Sequence, residues 1–394
     1  MKELFQYIPP PSSDYSGIIS ILFQLKDCLN ILVTPKGCIK TILEIDILDE
    51  FKNDNLFYTS LTQNDVISGF DEDLIYSIES IFKKYPKKYI NIINTPVPTI
   101  IGSNLNGIGK VLEKKLKVPV TVFNSTGFEN YSLGISEALL RIGKRFISFN
   151  YKKILNSVNI IGYSPLIVGN ISTLNSIRKL IENCGVEVIS IWCNETNIEK
   201  LKEASCASLN IVISAEGIQL AEYMKNKFNI PYILDMPIGI SRTNKFLGIL
   251  ESKLKLKPNK LIYKKNYLDK KVLIIGTPLE SLYIKYCLNE DFGIKEIKIV
   301  SLISSSRKEK RLYDQDVFSD INFVYSEYEL LEYIKNLDIS VLIADPLYHS
   351  FVDNKVTFIP HTNVALSGKE FINVEDNYIA EKGFEYFYKY LMIN

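Results

Sequence analysis

The sequence predicts an α/β protein built from three Rossmann-like domains, each with a doubly wound parallel sheet. At 394 residues the chain exceeds the usual size of a single hydrophobic core,. Short β-branched runs alternate with amphipathic stretches of roughly ten to fifteen residues, and Gly, Ser or Pro stands at the turns between them. Such alternation is typical of βαβ units, which form parallel sheets covered by helices on both faces. The pattern repeats three times and predicts domains at 1–152, 153–255 and 256–394.

The elements of the first predicted domain follow from its β-branched runs and its apolar residues at helical spacing. The predicted strands are 29–34, 55–61, 89–95 and 118–125, and the predicted helices are 71–85 and 104–116.

The second and third predicted domains repeat the pattern. Strands are predicted at 158–164, 186–193 and 209–214, with helices at 171–185 and 217–229, and then at 270–277, 294–303, 321–326 and 339–346. The Lys-rich stretch 251–271 predicts a solvated helix and linker before the third domain. A C-terminal helix is predicted to return to the core.

Composition excludes several classes of protein. Lys and Arg total 46 against 45 Asp and Glu, so a net charge of +1 offers no electrostatic basis for binding nucleic acid or an anionic membrane,. The prolines and acids of "MKELFQYIPPPSSDYSG" do not fit a signal peptide, and no later apolar run reaches membrane-spanning length,. We therefore expect a soluble, cytoplasmic protein with no membrane partner.

The six cysteines are scattered and include no Cys-x-x-Cys pair. That distribution argues against a disulfide framework and against a zinc knuckle. Any metal site must therefore be assembled from distant segments or shared with a partner chain.

Ligands of doubly wound sheets bind beyond the carboxyl ends of the strands. That rule nominates seven positions or segments: 34–38, 95–104, 125–128, 164–169, Cys193, Ser214 and 345–349. The glycine turns "GSNLNGIG" and "IIGTPLES" lack the spacing of dinucleotide and Walker loops,. NAD and ATP are therefore not expected on this chain.

Four segments of the first domain resemble a known family. They are "TPKGCIK", "YTSLTQNDVISGFDEDL", "NTPVPTIIGSNLNGI" and "VFNSTGFENYSLGISEAL". In order and spacing they are similar to the component 1 subunits of nitrogenase and their relatives, which include cofactor-assembly scaffolds and the dark-operative protochlorophyllide reductase. The similarity continues through "GVEVISIWCNETNIEKLKEASCASLNIVISAEG" and "NIPYILDMPIGISRTNKFL" and so covers nearly the whole chain.

The resemblance implies a subunit of a two- or four-chain complex. Its expected partners are a homologous second component 1-type subunit and a separate ATP-dependent iron–sulfur reductase that supplies electrons. An Fe–S cluster at the subunit interface would pass those electrons to a deeper site of multi-electron reduction.

Cys38 matches a cluster cysteine of the family. Pro96 stands at the second cluster position, and the third falls near Ser12 or Ser13. Proline cannot bind iron, and a serine oxygen is a harder and less usual ligand than a thiolate. Two interpretations of Cys38 follow: it adds one ligand to a cluster that a partner subunit largely holds, or it is a buried thiol that packs as a small apolar residue.

The deeper site that the resemblance implies also lacks a ligand. Ser214 stands where nitrogenase has a cofactor cysteine, and His361 lies within about a residue of the second anchor. A molybdenum–iron cofactor is therefore not expected. The alternative for His361, and for the other histidine, His349, is a loop histidine that is hydrogen-bonded to the backbone. Cys193 either lines the same cavity or is a strand-end thiol.

Three functional hypotheses follow from different classes of protein. The first is an oxidoreductase subunit that accepts electrons from the iron–sulfur reductase. The second is a non-catalytic scaffold or cofactor-maturation subunit with degenerate metal ligands. The third is a metal-free protein that binds an organic ligand in an inter-domain cleft.

Overall fold

The strands of the chain form three parallel sheets. The computed structural model describes residues 6–38, 55–149, 151–168, 171–194, 196–256, 258–263, 265–302, 316–371 and 377–392. The strands within these ranges are β1 Cys28–Leu32, β2 Leu56–Tyr58, β3 Tyr89–Ile93, β4 Val120–Phe123, β5 Ser157–Ile161, β6 Glu187–Ile191, β7 Leu209–Val212, β8 Tyr232–Leu234, β9 Lys271–Ile275, β10 Glu296–Leu302, β11 Ile321–Val324, β12 Val341–Ala344 and β13 Thr357–Pro360.

Helices connect most pairs of successive strands in the described ranges. Those in the described ranges are α1 Asp14–Leu22, α2 Gln63–Ser68, α3 Asp71–Lys84, α4 Pro96–Ile100, α5 Leu105–Leu116, α6 Tyr131–Phe146, α7 Ile171–Glu182, α8 Ile198–Glu203, α9 Ile218–Phe228, α10 Gly239–Leu254, α11 Pro278–Phe292, α12 Glu327–Lys335, α13 Val364–Ser367 and α14 Ala380–Leu391. None of these helices has the length and the apolar character needed to cross a bilayer.

Each sheet has a doubly wound topology. The strand orders are β2-β1-β3-β4, β6-β5-β7-β8 and β11-β10-β9-β12-β13. Every strand pairing is parallel. The winding reverses between β1 and β3, between β5 and β7, and between β9 and β12. The predicted fold class is therefore confirmed, and these three crevices are where such sheets bind ligands.

The core follows the two-residue period of the strands. In β1, Leu29 and Ile31 pack in a cluster with residues of α3 and α5 on one face of the first sheet. Cys28 and Leu32 point to the other face and join a larger cluster that includes residues of all three sheets. Burial on both faces explains why β1 consists almost entirely of apolar residues.

Several elements were not predicted individually from the sequence, among them β8, β13, α1, α6 and α11. Strands β8 and β13 are short edge strands, and Pro231 and Pro360 border or end them, so a local pattern does not reveal them,. Helix α1 is buried along almost its whole length and has no polar face, so it lacks amphipathic spacing,. The predicted strands also extend too far, because residues such as Thr34 belong to the turns after the strands.

The final helix, α14, packs against α10 and β13. It buries Phe387 and Leu391 against the large core cluster. The strands of the three sheets span residues 28–123, 157–234 and 271–360, while the exact domain limits stay a prediction.

Candidate functional site

Cys38 lies on the turn that follows β1. Its side chain is exposed, and its backbone N–H donates to the Pro35 carbonyl oxygen at 3.2 Å. The turn is tied to the end of β2, since Thr59 Oγ1 accepts from the Thr34 N–H and donates to the Thr34 carbonyl oxygen, both at 2.8 Å. The buried-thiol interpretation of Cys38 is therefore wrong: the turn carries the side chain away from the strand and toward solvent.

The turn after β3 lies beside the Cys38 turn at the same edge of the sheet. The Thr95 hydroxyl donates to the Val33 carbonyl oxygen at 2.7 Å, which joins the two turns. Pro96 begins α4 and packs against Gly127, where an added Cβ would lie only 2.3 Å from the proline Cγ. Gly127 has a φ of +75°, a conformation that glycine adopts without strain,.

Asp14 completes this edge from the start of α1. Its carboxylate accepts the N–H groups of Thr126 and Gly127, each at 2.8 Å. Burial raises the pKa of Asp14, and these hydrogen bonds oppose that shift. The Ser12 hydroxyl donates to the Ala365 carbonyl oxygen at 3.0 Å. The segment that the resemblance aligns with a third cluster ligand thus makes structural hydrogen bonds.

The residues at this edge fit an Fe–S cluster only in part. In the described ranges, no group of three or more His, Cys, Asp and Glu side chains could hold a metal ion. Fe–S clusters take about four thiolates, and this edge offers one. Cys38 therefore fits a cluster only as a single ligand of a site that another chain completes.

Ser214 lies at the crevice between β5 and β7. It is buried, and its hydroxyl donates to the Gly162 carbonyl oxygen at 2.8 Å. Gly162 has a φ of +100°, and an added Cβ would lie 2.7 Å from the serine Oγ. The crevice is therefore closed by the glycine and the serine in direct contact.

His361 directly follows β13, and its ring lies beside Gly276 after β9, where an added Cβ would be 3.0 Å from the ring Nε2. The residues after β9 meet those after β7 at a junction between the third and second sheets. Its Nδ1 lies 3.0 Å from the Tyr378 hydroxyl oxygen, and its Nε2 lies 3.5 Å from Glu280 Oε2. The Thr277 hydroxyl donates to the same glutamate oxygen at 3.2 Å. Burial lowers the pKa of His361 to about 4, so the ring is neutral at pH 7,.

Between these crevices lies a cavity of about 10 Å³, which Ser214, Glu216, Thr277 and Glu280 line together with apolar residues. Glu216 is buried, and its Oε1 accepts the Ser132 hydroxyl at 2.8 Å. A cavity of this size holds roughly one water molecule. Side chains occupy the junction, and a metal–sulfur cofactor of several metal atoms does not fit there.

A second small cavity adjoins the third sheet. Its volume is about 20 Å³, and Tyr131, Gly276, Asp345 and Asn363 are among the lining residues. Asp345 accepts the Asn363 N–H and the Ser367 hydroxyl, each at 2.8 Å. Burial raises the pKa of Asp345. Neither of these two cavities has room for an organic ligand,.

The structure brings Ser214 and His361 to one junction and places Cys38 at a separate edge. Sequence reasoning missed Glu216 and Glu280, which line the junction between them. Both follow the carboxyl end of a strand, so the rule that nominated Ser214 could also have found them. Neither glutamate belongs to a sequence motif that would have identified it.

The other nominated residues lie elsewhere. Cys193 is fully buried in the large core cluster, and burial raises the pKa of its thiol. His349 is exposed and packs on Phe358, with ring centroids 4.7 Å apart. Asp65, which belongs to the family-like segment "YTSLTQNDVISGFDEDL", forms a capping box with Thr62 at the start of α2. Gly169, at the end of a nominated segment, lies outside the described residues.

Comparisons with known proteins agree with this architecture. A sequence model of the family described as "Nitrogenase component 1 type Oxidoreductase" matches residues 13–364. A solved structure described as "Nitrogenase Cp1 at pH 6.5" covers 100% of this chain and 94% of that chain, with a TM-score of 0.75 and 16% identity. At that identity the likeness shows the fold alone.

Relatives of two kinds are similar in sequence. The nitrogenase iron-molybdenum cofactor biosynthesis protein NifE of Methanosarcina barkeri is 27% identical over 262 residues, which are 61% of this chain and 56% of that protein. One subunit of the light-independent protochlorophyllide reductase of Heliobacterium modesticaldum is 24% identical over 238 residues, or 60% of this chain and 46% of that protein.

The chain spans about half the length of the curated relatives it matches, with 41% to 56% of four NifE proteins aligned. The family model, in contrast, matches most of this chain, from residue 13 to residue 364. The resemblance found in the sequence is thus confirmed, and the chain belongs to the nitrogenase component 1 type oxidoreductase family.

Proposed function

We propose that this chain is an oxidoreductase subunit that pairs with a homologous second component 1-type chain. The pair accepts electrons from a separate ATP-dependent iron–sulfur reductase. Cys38 supplies one thiolate to an Fe–S cluster at the interface, and the partner supplies the other ligands. The exposed thiol at the carboxyl edge of the first sheet is the observation that carries this proposal.

Apolar side chains at the same edge of the first sheet as Cys38 support an interface there. Ile100 and Phe128 are 69% and 70% exposed. Ile100 ends the helix that begins at Pro96, and Phe128 follows the glycine that packs on Pro96. Large apolar side chains gathered at one edge favour a surface that a partner covers. We call Cys38, Ile100 and Phe128 the thiol edge.

The proposal is tested on the complex purified from the native host without oxygen. Iron, acid-labile sulfide and visible absorption are measured for the wild type, for Cys38→Ala and for a control, Cys184→Ala, whose half-buried thiol lies away from the thiol edge. We expect Cys38→Ala alone to lose cluster content. An unchanged iron content in that variant would rule out Cys38 as a ligand. A colourless wild-type complex would rule out the electron-transfer role.

The filled junction favours a second candidate, a non-catalytic scaffold or maturation subunit. Ser214, Glu280 and His361 make hydrogen bonds or close polar contacts with protein groups, and the cavity between them holds about one water,. Under either proposal, this chain holds no molybdenum–iron cofactor at the junction.

The two candidates differ in electron acceptance. The complex is mixed with an ATP-supplied, chemically reduced iron–sulfur reductase, and oxidation of the reductase is followed by absorption. Fast, ATP-dependent oxidation supports the first candidate. Absence of oxidation by a complex that still contains its cluster supports the scaffold.

A further inference from the structure

A groove on the first sheet adjoins the Cys38 turn, because Thr59 of its lining hydrogen-bonds to Thr34. Neither Cys38 nor the junction residues line it. Strand β2 with the residues after it forms one wall, and helices α2 and α3 form the other. Its volume is about 340 Å³, against about 10 and 20 Å³ for the junction cavities. Small-molecule sites usually measure roughly 300–1,000 Å³. We call this space the edge groove.

The floor of the edge groove is apolar and firmly packed. Phe70, Leu74 and Ile78 recur at helical spacing along the start of α3, are almost fully buried, and belong to the core cluster of the first sheet,. Phe57 of β2 adds an aromatic side chain to the lining. Because these residues are held by the core, the groove exists without a ligand.

The charged side chains that line the groove are both carboxylates, Asp65 and Asp73. Asp65 Oδ2 accepts the Thr62 N–H at 2.7 Å and the Thr62 hydroxyl at 2.8 Å. These bonds lower the pKa of Asp65, so it is ionised at pH 7,. Asp73 also lines the groove, and in the described part of the chain it has neither a hydrogen bond nor an ion pair. The lining includes no Lys or Arg that would balance the two charges.

An apolar space of ligand size, with two carboxylates and no cationic side chain in its lining, favours a ligand of a particular chemistry. A neutral apolar ligand would gain no electrostatic attraction from the carboxylates, and the carboxylates would repel an anion. The charged group of an organic cation would be attracted to the carboxylates, while its apolar part displaces water from the groove floor. We propose that the edge groove binds a small amphipathic organic cation, with an aromatic or aliphatic body and a single amine.

The test compares three indole compounds that differ in charge: tryptamine, neutral tryptophol and anionic indole-3-acetate. Calorimetry on the full chain at low salt should show saturable binding of tryptamine, weaker binding of tryptophol and none of indole-3-acetate. Added salt should weaken tryptamine binding. Equal affinity for tryptamine and tryptophol, or no saturable binding of either, would overturn the proposal.

Variants locate the site. Asp73→Asn removes an exposed charge of the lining and should weaken tryptamine binding roughly fivefold. Glu72→Gln, a matched change at the neighbouring position of α3 outside the lining, should leave binding unchanged. Ser77→Trp places a large ring in the groove and should abolish binding. Binding that persists in Ser77→Trp, or that falls equally in the Asp73 and Glu72 variants, places the ligand elsewhere and overturns the proposal.

Discussion

At the scale of single residues, Cys38 differs from every other cysteine of the chain. Its side chain is exposed, while Cys184 is half-buried and the remaining four are buried. Burial raises the pKa of those other thiols, among them Cys28 and Cys287. Since the thiolate is the reactive form, the chain has one cysteine placed for chemistry with a partner, a metal or an oxidant.

We therefore predict that iodoacetamide modifies Cys38 first in the native chain. Mass spectrometry of a time course should show one fast site, with Cys184 much slower, because burial also raises the pKa of that thiol. Cys38→Ala should remove the fast phase. Equal rates at Cys38 and Cys184 would contradict the assignment.

His361 gives the fold a specific pH dependence. Its pKa is lowered from 6.5 to about 4 by burial. Above pH 6.5 the ring is neutral in the folded and unfolded states. As the pH falls from 6.5 toward 4, the unfolded chain binds a proton that the folded chain does not, so stability is lost. Below about pH 4 the loss is complete, at about 3 kcal/mol.

The corresponding prediction concerns His361→Gln. Between pH 7 and pH 4 its free energy of unfolding should fall by about 3 kcal/mol less than that of the wild type. Urea denaturation at a series of pH values measures this difference. The control is His349→Gln, which makes the same change at the exposed histidine. A His361 variant with the wild-type slope would show that the ring is not held neutral.

At the scale of elements, α1 and α6 pack at backbone distance. A Cβ added to Gly17 would lie 2.2 Å from the Tyr131 carbonyl oxygen, and one added to Gly134 would lie 1.9 Å from the Asp14 carbonyl oxygen. Each helix thus places a glycine against the backbone of the other. This contact positions Asp14 beneath the turn at the thiol edge.

Alanine at either glycine should push the two helices apart. For Gly17→Ala or Gly134→Ala we expect a loss of about 1–3 kcal/mol or more in the free energy of unfolding. The control is Gly248→Ala, in α10, where an added Cβ meets no atom within 4 Å. That change should stabilise the chain by about 0.5–1 kcal/mol. Similar urea midpoints for all three variants would refute the close packing of α1 and α6.

At the scale of the whole molecule, the N-terminal segment links the third sheet to the first. The buried Glu327 carboxylate of α12 accepts the N–H groups of Gln6, Tyr7 and Ile8 at 2.6–3.4 Å. The chain then crosses to Ser12, which binds the Ala365 carbonyl oxygen, and enters α1. The position of α1, and with it the thiol edge, thus depends on contacts made by the third sheet.

Glu327→Ala should release this segment. Its three N–H groups would lose their acceptor, so limited proteolysis should cleave before Ser12 faster than in the wild type. Glu332→Ala removes an exposed acid from the same helix and should leave the cleavage rate unchanged. Equal cleavage of the two variants would show that Glu327 does not hold the segment.

The sequence predicted the central strands and most of the edge strands, but it missed the edge strands β8 and β13. Strands β1, β3, β5 and β12 are mostly apolar because both faces are buried, although β1, β3 and β5 each include a buried asparagine,. Such apolar runs are visible locally. The edge strand β8 has only three residues, and α1 has no polar face, so neither has a local signature. The expectation that ligands bind beyond the carboxyl ends of the strands nominated Ser214, but it was not extended to the nearby Glu216.

The sequence by itself determined the α/β class, the three parallel sheets and the family, because periodicity and motif order are local or linear properties. Only the tertiary structure decided which nominated residues meet. It places Ser214 and His361 around a junction filled by Glu216 and Glu280, and it leaves Cys38 at an exposed edge. The physical reason is that burial, cavity volume and charge pairing depend on residues distant in sequence, and they exist only after the three sheets have packed together.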